Sequence, residues 1–171
     1  MKKRILFVTY DQSLLVTRQA ILKNGGYEVF SARDQASALE TCDVQRPFDL
    51  VMMGNSMPQT DKSALFAALR PKCNAPLLTI RRHGESPLPE ANCSIEAPTY
   101  PPALLTAVEQ TLVLSALDRI ADRAERIRAL EERIKELQRR MLVAQSDDVL
   151  EVAKELTDTL DALARAKTRT Q

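Results

Sequence analysis

Apolar residues recur along the first hundred positions in short runs separated by helical patterns. Ile5-Leu6-Phe7-Val8 is a continuous apolar run between polar neighbours, which predicts a strand of a parallel sheet covered on both faces. Leu14, Leu15, Val16, Ile21 and Leu22 make an apolar side from about Ser13 to Lys23, so a helix follows, stopped by Asn24-Gly25-Gly26. Tyr27 to Ser31 alternates and is rich in β-formers, predicting a second strand. Asp34 is placed to cap a helix through Ala36, Ala38 and Leu39 to Cys42. Leu50-Val51-Met52-Met53 reads as a third strand and Met57-Pro58 as a loop. Asp61 should cap a helix with Leu65, Phe66 and Leu69, and Pro76 to Ile80 should be a fourth strand. Strands alternating with helices in this way imply right-handed βαβ units and a parallel sheet.

The pattern changes after Ile80. Residues 81–94 hold Gly84, Pro87 and Pro89 and have no helical period, so a fourth helix is expected to be very short or missing. Cys93 to Glu96 predicts a brief fifth strand, and Pro101-Pro102 suits the first turn of a helix. No stop signal then appears until Gln145-Ser146-Asp147-Asp148, predicting a helix over about 101–144. At roughly 1.5 Å per residue it would be about 65 Å long and is expected to project from a domain of about 100 residues.

A heptad describes this helix, with Val113, Ile120, Ile127, Ile134 and Met141 at a and Ala116, Leu130, Leu137 and Ala144 at d. Arg123 is the strongly polar d residue. Ser146 is a good N-cap for a second helix over about 147–168, whose apolar side carries Val149, Val152, Ala153, Leu156, Leu160, Leu163 and Ala164. An antiparallel helical hairpin is expected, with fraying from Lys167 to Gln171. The chain thus divides into an α/β domain over 1–112 and a helical hairpin or coiled coil over 113–171.

Composition sharpens this division. All four glycines and all nine prolines lie before residue 103, so nothing interrupts a helix beyond it. Residues 1–102 carry 12 basic and 10 acidic side chains and the remainder 12 and 13, so bulk charge gives no support to nucleic-acid or anionic-membrane binding. Cys42, Cys73 and Cys93 match no metal-ligand spacing and read as reduced thiols of a cytoplasmic protein. The apolar run after Met1-Lys2-Lys3-Arg4 is too short for a signal peptide or a membrane span. No metal or cofactor is expected.

Four segments carry a family likeness. Gly26-Tyr27-Glu28-Val29 leads to Ser31-Ala32 and Ala38-Leu39; Asp49 to Asp61 holds a third strand and a Met-Pro loop; Ala75-Pro76 leads into a fourth strand; Ala97-Pro98 follows the fifth. In their order and spacing these resemble a response-regulator receiver domain (CheY-like) from residue 4 to about 115. The resemblance implies a flavodoxin-like, doubly wound sheet of five parallel strands.

Receiver chemistry needs two acidic residues after the first strand which, with a phosphoacceptor aspartate, hold Mg²⁺. It also needs a hydroxyl residue at the end of the fourth strand and a lysine. The matching positions here are Thr9 and Tyr10, with Asp11 one place late, then Gly54, Arg81 and Ala97. Thr79 lies two residues before Arg81 on the same face. Glycine has no side chain, so no acyl phosphate can form at position 54. The likeness is therefore to a degenerate pseudo-receiver. Arg81 either occupies the space of the missing cations or is a surface arginine beside Arg82, and Tyr10 either fills the vacated pocket or simply packs. His83, the single histidine, lies in a loop, and no Ser-His-Asp, Cys-His or Gly-rich phosphate arrangement points to an enzyme.

Arg119, Arg126, Arg133 and Arg140 all fall at g, which in a parallel dimer pairs Arg126 with Glu131 while Arg133 meets only Gln138. Asp122 to Arg126 and Glu136 to Arg140 satisfy much of the charge within one helix. A two-helix hairpin buries little apolar surface, so a homodimer through a four-helix bundle is expected, the alternative being packing within one chain. The function expected is a phosphorylation-independent signalling adaptor bound to another signalling protein. The alternative is a scaffold whose helical tail is the working part, and a lesser one is a transcription or RNA regulator, for which the tail offers no helix-turn-helix signature.

Overall fold

The computed structural model describes residues 2–45, 47–143 and 146–168, with the side chains of 143 and 146–148 left out of the description. In order the elements are β1 (Arg4–Val8), α1 (Gln12–Asn24), β2 (Glu28–Ala32), α2 (Gln35–Gln45), β3 (Leu50–Met53), α3 (Gln59–Leu69), β4 (Leu77–Arg81), β5 (Cys93–Glu96), α4 (Pro101–Val143) and α5 (Ser146–Thr168). They divide into two compact units, Met1–Ser115 and Ala116–Gln171.

In the first unit the five strands lie in the order β2-β1-β3-β4-β5 and pair in parallel throughout. Alternation along the central strands serves two cores. Leu6, Val8, Val51, Met53 and Leu77 face α2 and α3, where they meet Ala38, Cys42, Leu65 and Leu69. Ile5, Phe7, Leu50, Met52, Leu78 and Ile80 point the other way, toward Leu15 and Leu22 of α1 and Leu104 and Val108 of α4. A sheet covered on both faces needs apolar residues at consecutive positions, which is why these strands read as unbroken runs.

Two local expectations are corrected. The apolar side of α1 was to include Val16, but Val16 is exposed and the buried residues are Leu15, Arg18 and Leu22. Asp61 does not cap α3: Pro58 holds the N-cap position and Asp61 sits inside the first turn, its carboxylate accepting the Tyr10 hydroxyl at 2.7 Å. Asp34 does cap its helix, taking the Ser37 amide at 2.7 Å while the Ser37 hydroxyl receives the Asp34 amide.

No helix lies between β4 and β5. Side chains fasten this segment instead. Leu88 is buried in the core on the α2 and α3 side. The Asn92 side chain accepts the Leu77 amide at 2.8 Å and its own amide returns to the Leu77 carbonyl at 2.8 Å. Lys62 of α3 is 2% exposed and donates to the Ile80 carbonyl at 2.9 Å, with Glu85 at 3.8 Å. Burial pushes the Lys62 ammonium below its ordinary value, and Glu85 opposes that shift.

In the second unit the later turns of α4 and α5 form a hairpin. Ile134, Leu137 and Val152 are buried, while Ile127, Leu130, Met141, Leu156 and Leu163 are half-buried. Arg123 donates to the carbonyls of Ala166 and Lys167 at 2.9 and 2.7 Å, closing the C-terminal end of α5 with a cation, where the helix dipole favours one. Glu155 receives both Arg133 and Arg140, and Glu131 pairs with Lys167 at 2.8 Å. Arg133, Arg140 and Glu131, among the residues considered for pairing between two copies, are thus engaged within one chain. Ala116, Ile120 and Leu160 of the heptad and of α5 are exposed, as is Val113 at the end of the first unit. Ala144 and the Ser146 cap fall outside the described residues and side chains.

Candidate functional site

The residues that match receiver chemistry gather at the carboxyl ends of the strands, and each is spoken for. By alternation Thr9 continues the row of Ile5 and Phe7, and Gly54 that of Leu50 and Met52, so both face α1. The Gly54 amide donates to the Val8 carbonyl at 2.8 Å, which draws the ends of β1 and β3 together. A Cβ on Gly54 would lie 2.5 Å from Thr9 Oγ1 and 2.7 Å from Thr9 Cβ. Thr9 is fully buried and its hydroxyl is bonded to Ser56 Oγ at 2.7 Å. The space in which an aspartate side chain would begin is therefore filled, and its filler is fixed at a strand end.

The acidic residues nearby are used structurally. Asp11 is the N-cap of α1, accepting the Leu14 amide at 2.9 Å. Asp61 holds the Tyr10 hydroxyl, and burial together with that hydrogen bond raises the Tyr10 pKa to about 12. Ser56 Oγ accepts the amides of Tyr10 and Asp11 at 2.9 and 3.2 Å, so the loop after β1 is tied to the loop after β3 without a metal. A divalent cation of the receiver kind would need carboxylates from positions 9, 10 and 54. A hydroxyl, a phenol and a glycine do not supply that donor set. Among the described residues no three His, Cys, Asp or Glu side chains converge as metal ligands.

Thr79 is buried and donates to Ser94 Oγ on β5 at 3.1 Å. Arg81 has local partners on its own sheet edge. It pairs with Glu96, directly opposite on β5, at 2.7 Å and donates to the Glu85 carbonyl at 2.8 Å. Glu96 is also bonded to His83, and these two contacts hold its carboxyl below its ordinary value, the His83 bond more than Arg81. Ala97 is half-buried, its amide donating to the Arg81 carbonyl at 2.9 Å.

Two neighbours of the pocket had contacts that were not legible in the sequence. Arg18, only 7% exposed, approaches Gly54: its Nη1 would be 3.5 Å from a Cβ there, and its Nη2 donates to Asn55 Oδ1 at 2.8 Å. Arg82 reaches back over the same loop to the carbonyls of Asn55 and Ser56 at 3.0 and 3.5 Å. Arg18 sits at a position where helical period alone marks it as one more polar residue. Its length lets it bend under the loop, which no pattern of apolar residues reports.

The fold is that of response-regulator receiver domains, the CheY-like class. The chain is similar to the N-terminal domain of a response regulator/sensory box/GGDEF three-domain protein from Carboxydothermus hydrogenoformans, at 24% identity and TM-score 0.60, over 68% of this chain and 98% of that one. It is also similar to the receiver domain of the hybrid histidine kinase CckA, at 27% identity and TM-score 0.55, over 64% and 98% of the two chains. A fusion carrying the yeast Spc42 trimeric coiled coil matches over 82% of this chain and 99% of its own, at 23% identity and TM-score 0.63. No family model and no curated protein matches the sequence.

Proposed function

We propose that this chain is an atypical response-regulator-like signalling protein, which acts through protein contacts without a phosphorylation cycle and is dimerised by its C-terminal helices. The observation that carries the first part is the packing of Thr9 against Gly54, with Arg18 beyond it. A pocket whose acceptor position is glycine, and whose side-chain volume is occupied, has neither a nucleophile nor room for one. The second part is supported by the apolar residues that the helical unit leaves exposed, Leu117, Ile120, Leu142, Leu150 and Leu160 among them. The likeness to a trimeric coiled-coil fusion supports helical association in general.

Incubation with Mg²⁺ and a small phosphodonor is expected to leave the intact mass unchanged. A covalent phosphoryl adduct on Asp11 would overturn the phosphorylation-independent reading. Light scattering is expected to give about twice the chain mass of 19.1 kDa, and a monomer would refute the bundle. Three copies would replace the four-helix bundle with a trimeric coiled coil.

The second reading is a scaffold in which the helical tail does the work, favoured by the same exposed leucines. Charge reversal on the α/β unit at Arg82 separates the two. Lost binding to a partner with self-association preserved supports the adaptor, and an unchanged assembly supports the scaffold. Among the described residues no helix is long and apolar enough to cross a membrane.

A further inference from the structure

A cleft of about 450 Å³ opens beside the rebuilt pocket. Its lining joins polar side chains, Arg18, Asn55 and Arg82 among them, to apolar ones, Leu14, Ile21 and Pro98. It lies where α1 leaves β1 and the loops leave β3, β4 and β5. In the strand order β2-β1-β3-β4-β5 the chain turns in opposite directions from β1 and β3, and ligands of open α/β sheets enter at such a point.

The charge in this cleft is unbalanced. Arg18 and Arg82 hold the same residue, Asn55, one by its side chain and the other by its backbone, so two guanidinium groups flank a single loop position. Among the described residues neither forms an ion pair, and Arg18 Nη1 is buried with no hydrogen-bond partner. The nearby carboxylates are engaged elsewhere: Asp11 caps α1, Glu85 takes the Arg82 amide, and Glu96 is held by Arg81 and His83. A buried cation without a counter-charge is costly, and burial does push the Arg18 guanidinium below its ordinary value, with Asp11 opposing. An oxyanion in the cleft would supply the missing charge through guanidinium hydrogen bonds, which are among the stronger polar contacts.

We propose that this cleft binds a small diffusible ligand with an oxyanion head, directed to the Arg18 and Arg82 side, and an apolar body resting on Leu14, Ile21 and Pro98. Binding is non-covalent, so it differs from phosphorylation in leaving the chain mass unaltered. It stands independently of the oligomeric and partner readings above.

The test is titration of the ¹⁵N-labelled full chain at constant ionic strength, in chloride, with phenyl phosphate, benzoate and inorganic phosphate as probes. The amides of Thr17, Asn55, Arg82, His83 and Thr99 are expected to shift saturably with phenyl phosphate or benzoate. Whichever of the two binds more tightly identifies the head group as phosphate or carboxylate. Inorganic phosphate, lacking the apolar body, should bind at least about tenfold more weakly. Arg82 is exposed, so Arg82→Gln should fold as before and weaken binding at least about tenfold. The proposal is overturned if neither organic probe saturates by tens of millimolar, if Arg82→Gln leaves the affinity unchanged, or if inorganic phosphate binds as tightly as the organic probes.

Discussion

The α/β unit and the helical unit bury their apolar residues to different degrees. In the first, every central strand is covered on both faces, and Ile5 to Val8, Leu50, Met52, Met53, Leu77, Leu78 and Ile80 have no accessible surface. Among the described residues of the second, only Ile134, Leu137 and Val152 are buried, while Leu142 and Leu150 are 87% and 81% exposed. A sheet with helices on both sides encloses its own core, whereas two helices share one seam and leave the rest of each to water. The first unit can complete its packing alone; the second has apolar surface to offer.

The largest expected effect tests that contrast. Leu117→Glu with Ile120→Glu changes two exposed residues of the helical unit, so each chain should fold unchanged. If their burial stabilises a dimer at about 1.5–3 kcal/mol each, the pair should weaken association by roughly 10²–10⁴-fold. Light scattering that still reports two copies after both changes would break the comparison.

Gly54→Ala comes next, at a position that has no spare room. Its new methyl group meets the fixed Thr9 side chain, so urea unfolding should show a loss of roughly 1–3 kcal/mol, the usual cost of overpacking. A neutral result would mean that the strand ends yield, and that the acceptor position is closed only by the lack of a side chain.

Arg123→Gln probes the helical seam from the other direction. It removes two charge-assisted hydrogen bonds to the end of α5, and a loss of about 1 kcal/mol should appear as faster amide exchange confined to the last turns of α5. Exchange that rises equally throughout α4 and α5 would show that the hairpin opens as one body instead.

The smallest effect concerns Tyr10, whose phenol should ionise near pH 12 in an absorbance titration. Burial is the first cause and the Asp61 hydrogen bond the second, so Asp61→Asn should lower the value only part of the way toward the ordinary tyrosine value of about 10. A folded pKa above the unfolded one means that the contribution to stability is fully present below the unfolded value. It is lost as pH rises through about 12.

Much of the fold was legible because strands and helices impose different periods. Leu50–Met53 and Cys93–Glu96 occupy the expected positions, and the proline-rich segment before β5 forms no helix. The altered pocket was legible at the level of composition: Gly54, Thr9, Tyr10 and Ala97 stand where the receiver likeness calls for carboxylates and a lysine. What those residues do instead was not. Arg81 was considered as a replacement cation, yet parallel pairing puts Glu96 opposite it and gives it a local partner.

Periodicity records which way a side chain leaves the backbone, and that direction is enough to determine sheet and helix. It does not record where a long polar side chain ends. Arg18 and Lys62 carry their charges into the interior because a loop side-chain amide and a strand carbonyl wait there, and Asp11 and Asp61 are withdrawn from the pocket by contacts with neighbours close in sequence and distant. The sequence alone determined that position 54 has no nucleophile. Only the tertiary structure decided that Thr9 fills its place, that Arg18 stands behind it, and that the adjoining cleft is left with uncompensated positive charge.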